Sequence, residues 1–364
     1  MSFFLDRAAV PALILLTASQ VSVADADHGN AMKPMHASGH APIGVMGDHM
    51  HKAGEWMFSY RYMYMDMDGN RDGDNGISAD TIATTIPNRF FGNPMQPPTL
   101  RVVPLDMRMD MHMFGGMYAP TDWVTLMVMT SYIEKEMDHL TYMGPAGTTT
   151  RGEFTTRSEG IGDTRISGMF SLYGQREQHL HLNFGVSVPT GSNTERDTIL
   201  TPLGTTPEVR LPYAMQIGSG TVDLMPGITY TGRHERFRWG AQYMATVRTG
   251  DDEGYSLGDQ HDVTAWVSYE PIPALSFSAR VKYRNLGDID GRDPRIMGPV
   301  QTADPDNYGG RTTDFILGAN WAGQNGFWRK KRLAIEAAIP IQRNLNGPQM
   351  ETDLTITGGL QIAF

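Results

Sequence analysis

Residues 105–114 read LDMRMDMHMF: Met107, Met109, Met111 and Met113 take alternate positions, and Asp106, Arg108, Asp110 and His112 fill the gaps. Two readings compete, a thioether ribbon for metal and a β-strand with one oily and one wet face. The period of 2 is kept from about Val103 to Met113, which specifies a strand and excludes an amphipathic helix. What each face meets depends on the rest of the chain.

Composition narrows that context. Of 364 residues, 40% are hydrophobic and only 19% charged, with 40 Gly and 22 Pro, a balance that favours strands and turns over helices. With no Cys, disulfides and thiolate metal sites are both excluded. The net charge of −10 argues against nucleic acid as a partner. The anomaly is methionine, at 25 residues.

The chain opens MSFFLDRAAVPALILLTASQVSVADA, with Arg7 ahead of an apolar run from Ala8 to Ala18 and then small residues. Ser22-Val23-Ala24 fits a signal-peptidase site, as does Ala24-Asp25-Ala26, so residues 1–24 read as an export signal. Asp6 is atypical there, and the alternative is a short N-terminal helix. No apolar run elsewhere reaches the ~18 residues of a transmembrane helix. An exported chain of this kind is periplasmic, secreted or a membrane β-barrel.

Twelve segments keep the period of 2: 54–67, 101–118, 121–134, 160–174, 178–189, 219–231, 235–249, 259–270, 273–285, 311–322, 329–341 and 353–364. Each has a nearly continuous apolar face, such as Trp56/Phe58/Tyr60/Tyr62/Tyr64 or Leu275/Phe277/Ala279/Val281/Tyr283. Their lengths match the ~9–11 tilted residues of membrane-spanning strands. Connections alternate between tight ones (Ala119-Pro120, Gly174 to Glu177, Thr231 to Arg233) and long ones, and the chain ends LQIAF on an aromatic residue. That asymmetry predicts an all-β fold: a transmembrane antiparallel up-and-down β-barrel of about 12 strands, with short periplasmic turns and long extracellular loops. A soluble sandwich would lack the systematic loop alternation. The expected layout is a signal peptide (1–24), a Met/His-rich periplasmic segment (25–53) and an outer-membrane barrel (54–364), with outer-membrane lipid as its surroundings.

A barrel answers the opening question provisionally. Met107, Met109, Met111 and Met113 are expected to face lipid, and the charged set to face the lumen. Expected lumen residues are Arg61, Asp106, Arg108, Asp110, His112, Asp163, Arg165, His179, His181, Arg238, Arg280 and Glu336. Met57, Met63, Met65, Met127, Met129, Met169, Met225 and Met244 also fall inward by parity, as packing or as soft ligands. Mixed charges in a narrow barrel would pair across it and restrict the pore.

The pair GIGDTRISGMFSLYG (Gly160–Gly174) and HLNFGVSVPTGS (His181–Ser192) resembles a hairpin of the outer-membrane transporter family named for the meta pathway of phenol degradation. The resemblance covers most of the mature chain in strand layout and implies a channel for small, aromatic or hydrophobic solutes. It implies no ligand residues.

Two further stretches invite metal chemistry. Residues 25–53 hold His28, Met32, Met35, His36, His40, Met46, His49, Met50 and His51, a mixture of imidazole and thioether that suits copper, with Met selecting Cu(I). The plainer reading is a flexible lead-in or a plug. DMDGNRDGDNG (Asp66–Gly76) contains Asp68, Asn70 and Asp72 at the spacing of a calcium loop, but the twelfth position is Ala79 instead of Glu. Enzymatic signatures are weak, and the chain reads as a non-enzyme. The sequence thus supports a channel for small solutes first, a copper-handling barrel second and a plugged structural barrel third. Loops 68–100, 135–159, 190–218 and 286–310 are expected to set access.

Overall fold

A computed structural model describes residues 35–175 and 177–364. The expected signal peptide, His28 and Met32 lie outside the described residues. Wall strands are β1 (Trp56–Gly73), β2 (Val102–Thr121), β3 (Val124–Tyr142), β4 (Thr150–Ile161), β5 (Thr164–Gln175) and β6 (Gln178–Val188). They continue with β7 (Asp223–His234), β8 (Phe237–Arg248), β9 (Gln260–Ile272), β10 (Leu275–Leu286), β11 (Gly310–Ala322) and β12 (Lys331–Ala363).

Apart from β4 and β5, neighbours in sequence pair antiparallel, and β12 closes the ring on β1. β4 and β5 act as one stave interrupted at Gly162-Asp163, since β4 pairs the upper part of β3 and β5 the lower part. β12 supplies two staves. It climbs beside β11 from Arg332 opposite Ala322 to Leu345 opposite Gly310, then descends beside β1 from Leu345 opposite Gly73 to Ala363 opposite Met57. Gly347, at φ 70°, supplies the left-handed residue within Asn346-Gly347-Pro348, where the chain reverses. The wall therefore closes on itself through twelve staves, as a lipid-embedded sheet requires, and among the described wall strands only β4, above β5, lacks a ladder partner on its second side.

Outside the wall, large apolar side chains are exposed at alternate positions: Trp56, Phe58 and Tyr60 on β1, Leu126 and Val128 on β3, Phe277, Val281 and Tyr283 on β10, Leu333, Ile335 and Ile339 on β12. Exposing these rings and branched chains to water would be costly, whereas a bilayer accepts them. The long loops gather over one mouth. Phe90, Val102, Tyr213, Tyr255, Ile289, Ile296, Val300 and Ala303, drawn from four of them and the start of β2, form one apolar cluster there. A short helix in the first loop, Ala79–Thr85, is N-capped by the Ser78 side chain accepting from Thr81 N.

The strands outgrow the expected membrane span at one corner. β2 has 20 residues, and at ~3.3 Å per residue with a tilt of about 40° it rises roughly 50 Å, about twice the ~25 Å apolar band of such barrels. This excess corrects the facing of the opening stretch. Phe114, which is 52% exposed, shares parity with His112, Asp110, Arg108 and Asp106, so those four lie on the outer face and do not line the lumen. Met107 and Met113 point inward, at 4% and 6% exposure. The outward charges stand beyond the apolar band, behind a boundary of tyrosines: the Tyr60 hydroxyl and His112 Nδ1 share a hydrogen bond of 2.8 Å, and the Tyr62 hydroxyl donates to Asp110. Farther out, Arg108 Nε donates to Asp110 Oδ2 at 2.7 Å and Arg157 pairs with Glu136 at 2.9 Å.

Candidate functional site: the plugged lumen

Residues 35–55 precede β1 and turn into the barrel at its short-turn end, where they touch the wall on nearly every side. Ala53 N donates to Asp122 Oδ1 at 2.8 Å, and His51 N to Thr125 Oγ1 on β3 at 3.0 Å. The Gly47 carbonyl pairs with His181 Nε2 on β6 at 2.9 Å, and Gln242 Nε2 on β8 donates to the Met46 carbonyl at 2.8 Å. Glu270 at the end of β9 takes His36 Nδ1 at 2.6 Å and Ser38 N at 2.9 Å. Ala41 and Val45 pack on Trp266, which lies over Gly240, where a Cβ would come within 2.3 Å of the indole. The segment expected in the periplasm is thus, over its described part, a plug inside the barrel.

One ion pair anchors its middle. Arg280 on β10 and Glu336 on β12 face each other in a two-pronged bond, Nε to Oε1 at 2.9 Å and Nη2 to Oε2 at 3.1 Å, and Glu336 Oε2 also accepts from Gly44 N. Both side chains are buried, so the pair is shielded from bulk water. Nearby, Arg332 donates to Asn320 Oδ1 at 2.8 Å, to Gln361 and to the Ala41 carbonyl. A Cβ at Gly44 would collide with Glu336 Oε2 and Arg280 Nη2, so a larger residue there would have to displace the ion pair.

Above the plug the inner wall divides in two. One side, on β1, β2, β3 and β5, is thioether. Register sets Met57 opposite Met117, Met63 opposite Met111, Met65 opposite Met109, Met67 opposite Met107, Met107 opposite Met137 and Met117 opposite Met127. Met57, Met117 and Met169 are fully packed with Met50 of the plug and Met127, while Met63, Met65, Met109 and Met111 remain half-buried. The facing side, on β5 to β11, is ionic. Arg284 Nε donates to Asp262 Oδ1 at 2.9 Å, Lys282 Nζ lies 3.4 Å from Asp262, and Arg248 pairs with Asp223. Asp163 accepts from Gly191 N at 3.0 Å and from the Ser219 amide and hydroxyl at 2.9 and 2.8 Å, and Arg165 projects into the same space. The outer mouth is narrowed by Tyr213–Met215, where Lys135 Nζ donates to the Ala214 and Gln216 carbonyls at 2.8 and 2.7 Å.

Of the residues expected inside, Arg61, Asp163, Arg165, His179, His181, Arg238, Arg280 and Glu336 take inward positions, and Asp106, Arg108, Asp110 and His112 do not. The calcium-like spacing, already broken at Ala79, falls on a strand. Asp68, Asn70 and Asp72 lie on the extended end of β1, and Asn70 is committed to donating to the Pro104 carbonyl at 2.8 Å and accepting from Gln301. Within the Met/His-rich segment, His36 and Met35 lie apart from the others, Met50 joins the thioether wall, and His40, Asp48, His49 and His51 come together. Asp48 carried no signal in the sequence, because a lone carboxylate between Gly47 and His49 matches no ligand spacing.

No protein-family model matches the sequence, and no curated protein matches it. Solved structures do. An outer membrane channel from Pseudomonas putida F1 superposes with a TM-score of 0.57 over 88% of this chain and 100% of that one, at 14% identity. The fold is that of an outer-membrane β-barrel. The exposed apolar band places the chain in that membrane. A Pseudomonas aeruginosa FadL homologue matches at TM-score 0.45 and 10% identity over 91% of this chain and 98% of that one. The Pseudomonas putida toluene transporter TodX matches at 0.40 and 8% over 85% and 89%. Neither of these looser likenesses carries weight here. The likeness of Gly160–Gly174 and His181–Ser192 to the meta-pathway family rests on those motifs alone.

Proposed function

We propose that the protein is an outer-membrane channel for small apolar or aromatic solutes, held closed at rest by residues 35–55. The observation that carries this reading is the divided lumen: half-buried thioethers at Met63, Met65, Met109 and Met111 face an ion-paired wall at Asp262, Lys282 and Arg284. Thioethers contact aromatic rings at about 0.3–1.5 kcal/mol each, so two or three such contacts give about 0.6–4.5 kcal/mol and a dissociation constant of about 0.5 mM or weaker. Binding of that strength admits a solute and lets it leave. The ionic wall, in which Asp262 partly offsets Lys282 and Arg284 and Asp223 offsets Arg248, offers hydrogen bonds to a polar substituent. A wide diffusion pore fits poorly with this many groups converging on the lumen.

The test is a liposome swelling assay with purified full chain and with a chain lacking residues 35–53. Phenol-sized aromatics are expected to enter faster than sugars of equal mass, and plug removal to speed both. A plug-deleted barrel as impermeable to aromatics as to sugars would overturn the proposal.

A further inference from the structure

The plug contains a group of side chains that the channel reading leaves without a task. We infer that His40, Asp48, His49 and His51 form a binding site for a divalent transition-metal ion of borderline softness, Zn²⁺ or Cu²⁺, and this holds whether or not the barrel conducts.

His40 Nδ1 lies 3.3 Å from His49 Nδ1, and His49 Nδ1 lies 2.9 Å from Asp48 Oδ1. Ligand atoms from all three fall within 4.8 Å of one another, the one such group of His, Cys, Asp or Glu among the described residues. Tetrahedral zinc with bonds of ~2.0–2.1 Å separates its ligand atoms by about 3.3 Å, so the three atoms already sit near the edge length of a coordination shell. Protons satisfy the arrangement poorly. A single hydrogen on His49 Nδ1 cannot serve both Asp48 and His40, whereas a cation among the three serves all of them.

The surroundings supply what a metal site needs. Asp48 is oriented by its other oxygen, Oδ2, which accepts from Ala41 N at 2.7 Å. His51 stands beside His49, ring centres 4.8 Å apart, and is 8% exposed. Its Nε2 and that of His49 are buried with no hydrogen-bond partner, which is rare for polar nitrogens in a protein interior. Glu55 lies 3.5 Å from His51 Nδ1, the second-sphere carboxylate usual for a ligating imidazole. Arg61 and Arg332 face the site from the wall and Asp48 offsets them. Arg332 is also held by Asn320, Gln361 and the Ala41 carbonyl.

The donor set decides the metal class. Imidazole nitrogen with carboxylate oxygen suits Zn²⁺ and Cu²⁺, whereas Cu(I), expected from the methionines, prefers sulfur. The plug's Met50 lies in the thioether cluster with Met57, Met117 and Met169. An ion here would tie His40 to residues 48–51 across the turn at Pro42–Gly47 and so stiffen the plug in its docked form.

The experiment is calorimetric titration of ZnCl2, and separately CuSO4, into the purified full chain in detergent, with electron paramagnetic resonance of the copper-loaded protein. One equivalent should bind at micromolar or tighter dissociation constant, with hyperfine splitting from two or three imidazole nitrogens. His40→Ala and His49→Ala should each weaken binding at least ~100-fold, while His36→Ala and deletion of residues 25–34 should leave it unchanged. Absence of binding, binding that survives the double variant His40→Ala/His49→Ala, or loss on deletion of 25–34 would overturn the inference. Heat-shifted mobility on gels shows whether each variant is folded. If the alanine variants fail to fold, the resonance spectrum of the parent decides, and coupling to fewer than two nitrogens overturns it.

Discussion

Glu336→Ala tests whether an ion pair in the wall seats the plug. In the parent, Glu336 does two jobs: it neutralises Arg280 through two hydrogen bonds of 2.9 and 3.1 Å, and it accepts the Gly44 amide of the plug. Alanine removes both and leaves a buried guanidinium unpaired. Breaking a buried pair in this way costs about 3–5 kcal/mol. The cost is relieved when the plug leaves and lumen water reaches Arg280, so most of it appears as a shift from docked to undocked plug. Taking the lower figure, about 3 kcal/mol, the undocked fraction rises about 150-fold. Planar-bilayer recordings read this directly as open probability. Arg280→Met/Glu336→Leu, which refills the volume without charge, should return the channel most of the way to closure, since well-packed apolar substitutes replace buried pairs at little cost. If Glu336→Ala stays as closed as the parent while a chain lacking residues 35–53 conducts, the pair is not what seats the plug.

Three more outcomes follow from the same geometry. Acid should open the plug: burial, with the adjacent His49 adding, lowers His51 to about 4 on a segment that spans no membrane, against a counter-effect of Glu55 and Asp48. A group whose folded value is depressed favours the docked form above the free imidazole value of about 6.5 and loses that contribution as pH falls through 4. Conductance should therefore rise across that window, less steeply in His51→Gln, and a flat profile in the parent refutes the account. Single cysteines at Arg108 and Met107 should separate in labelling by a membrane-impermeant maleimide on whole cells, because position 108 faces outward with its side chain 63% exposed and position 107 faces inward and is buried. Equal labelling would restore the reversed facing of β2. Gly240→Val should displace Trp266 from beneath Ala41 and Val45, because even a Cβ would lie 2.3 Å from the indole. Proteolysis within residues 35–53 should then accelerate at least tenfold, and an unchanged cleavage rate would show that Trp266 does not support the plug.

The twelve strands, the alternation of short turns with long loops and the closure of the barrel were legible in the sequence, because each rests on a local period or a local length. Predicted and observed strand limits differ by a few residues over most of the wall. They diverge at β1, β3, the β4–β5 stave and β12, where the chain stays extended beyond the membrane to Gly73, to Tyr142, from Thr150 and through residues 342–352. That divergence explains the misread facing of LDMRMDMHMF. Alternation says that two faces differ and is silent on which is inside, and charge points inward only for the part of a strand within lipid. The parity shared by Phe114 and Tyr118 with Asp110 was the available signal, and it outweighs charge because those rings mark the lipid face. The plug and the meeting of His40 with Asp48, His49 and His51 were decided by tertiary structure alone. A stretch with no period gains its conformation from what surrounds it, here Arg280, Glu336, Gln242 and His181, which lie at least 130 residues away in sequence and surround it only once the barrel has closed.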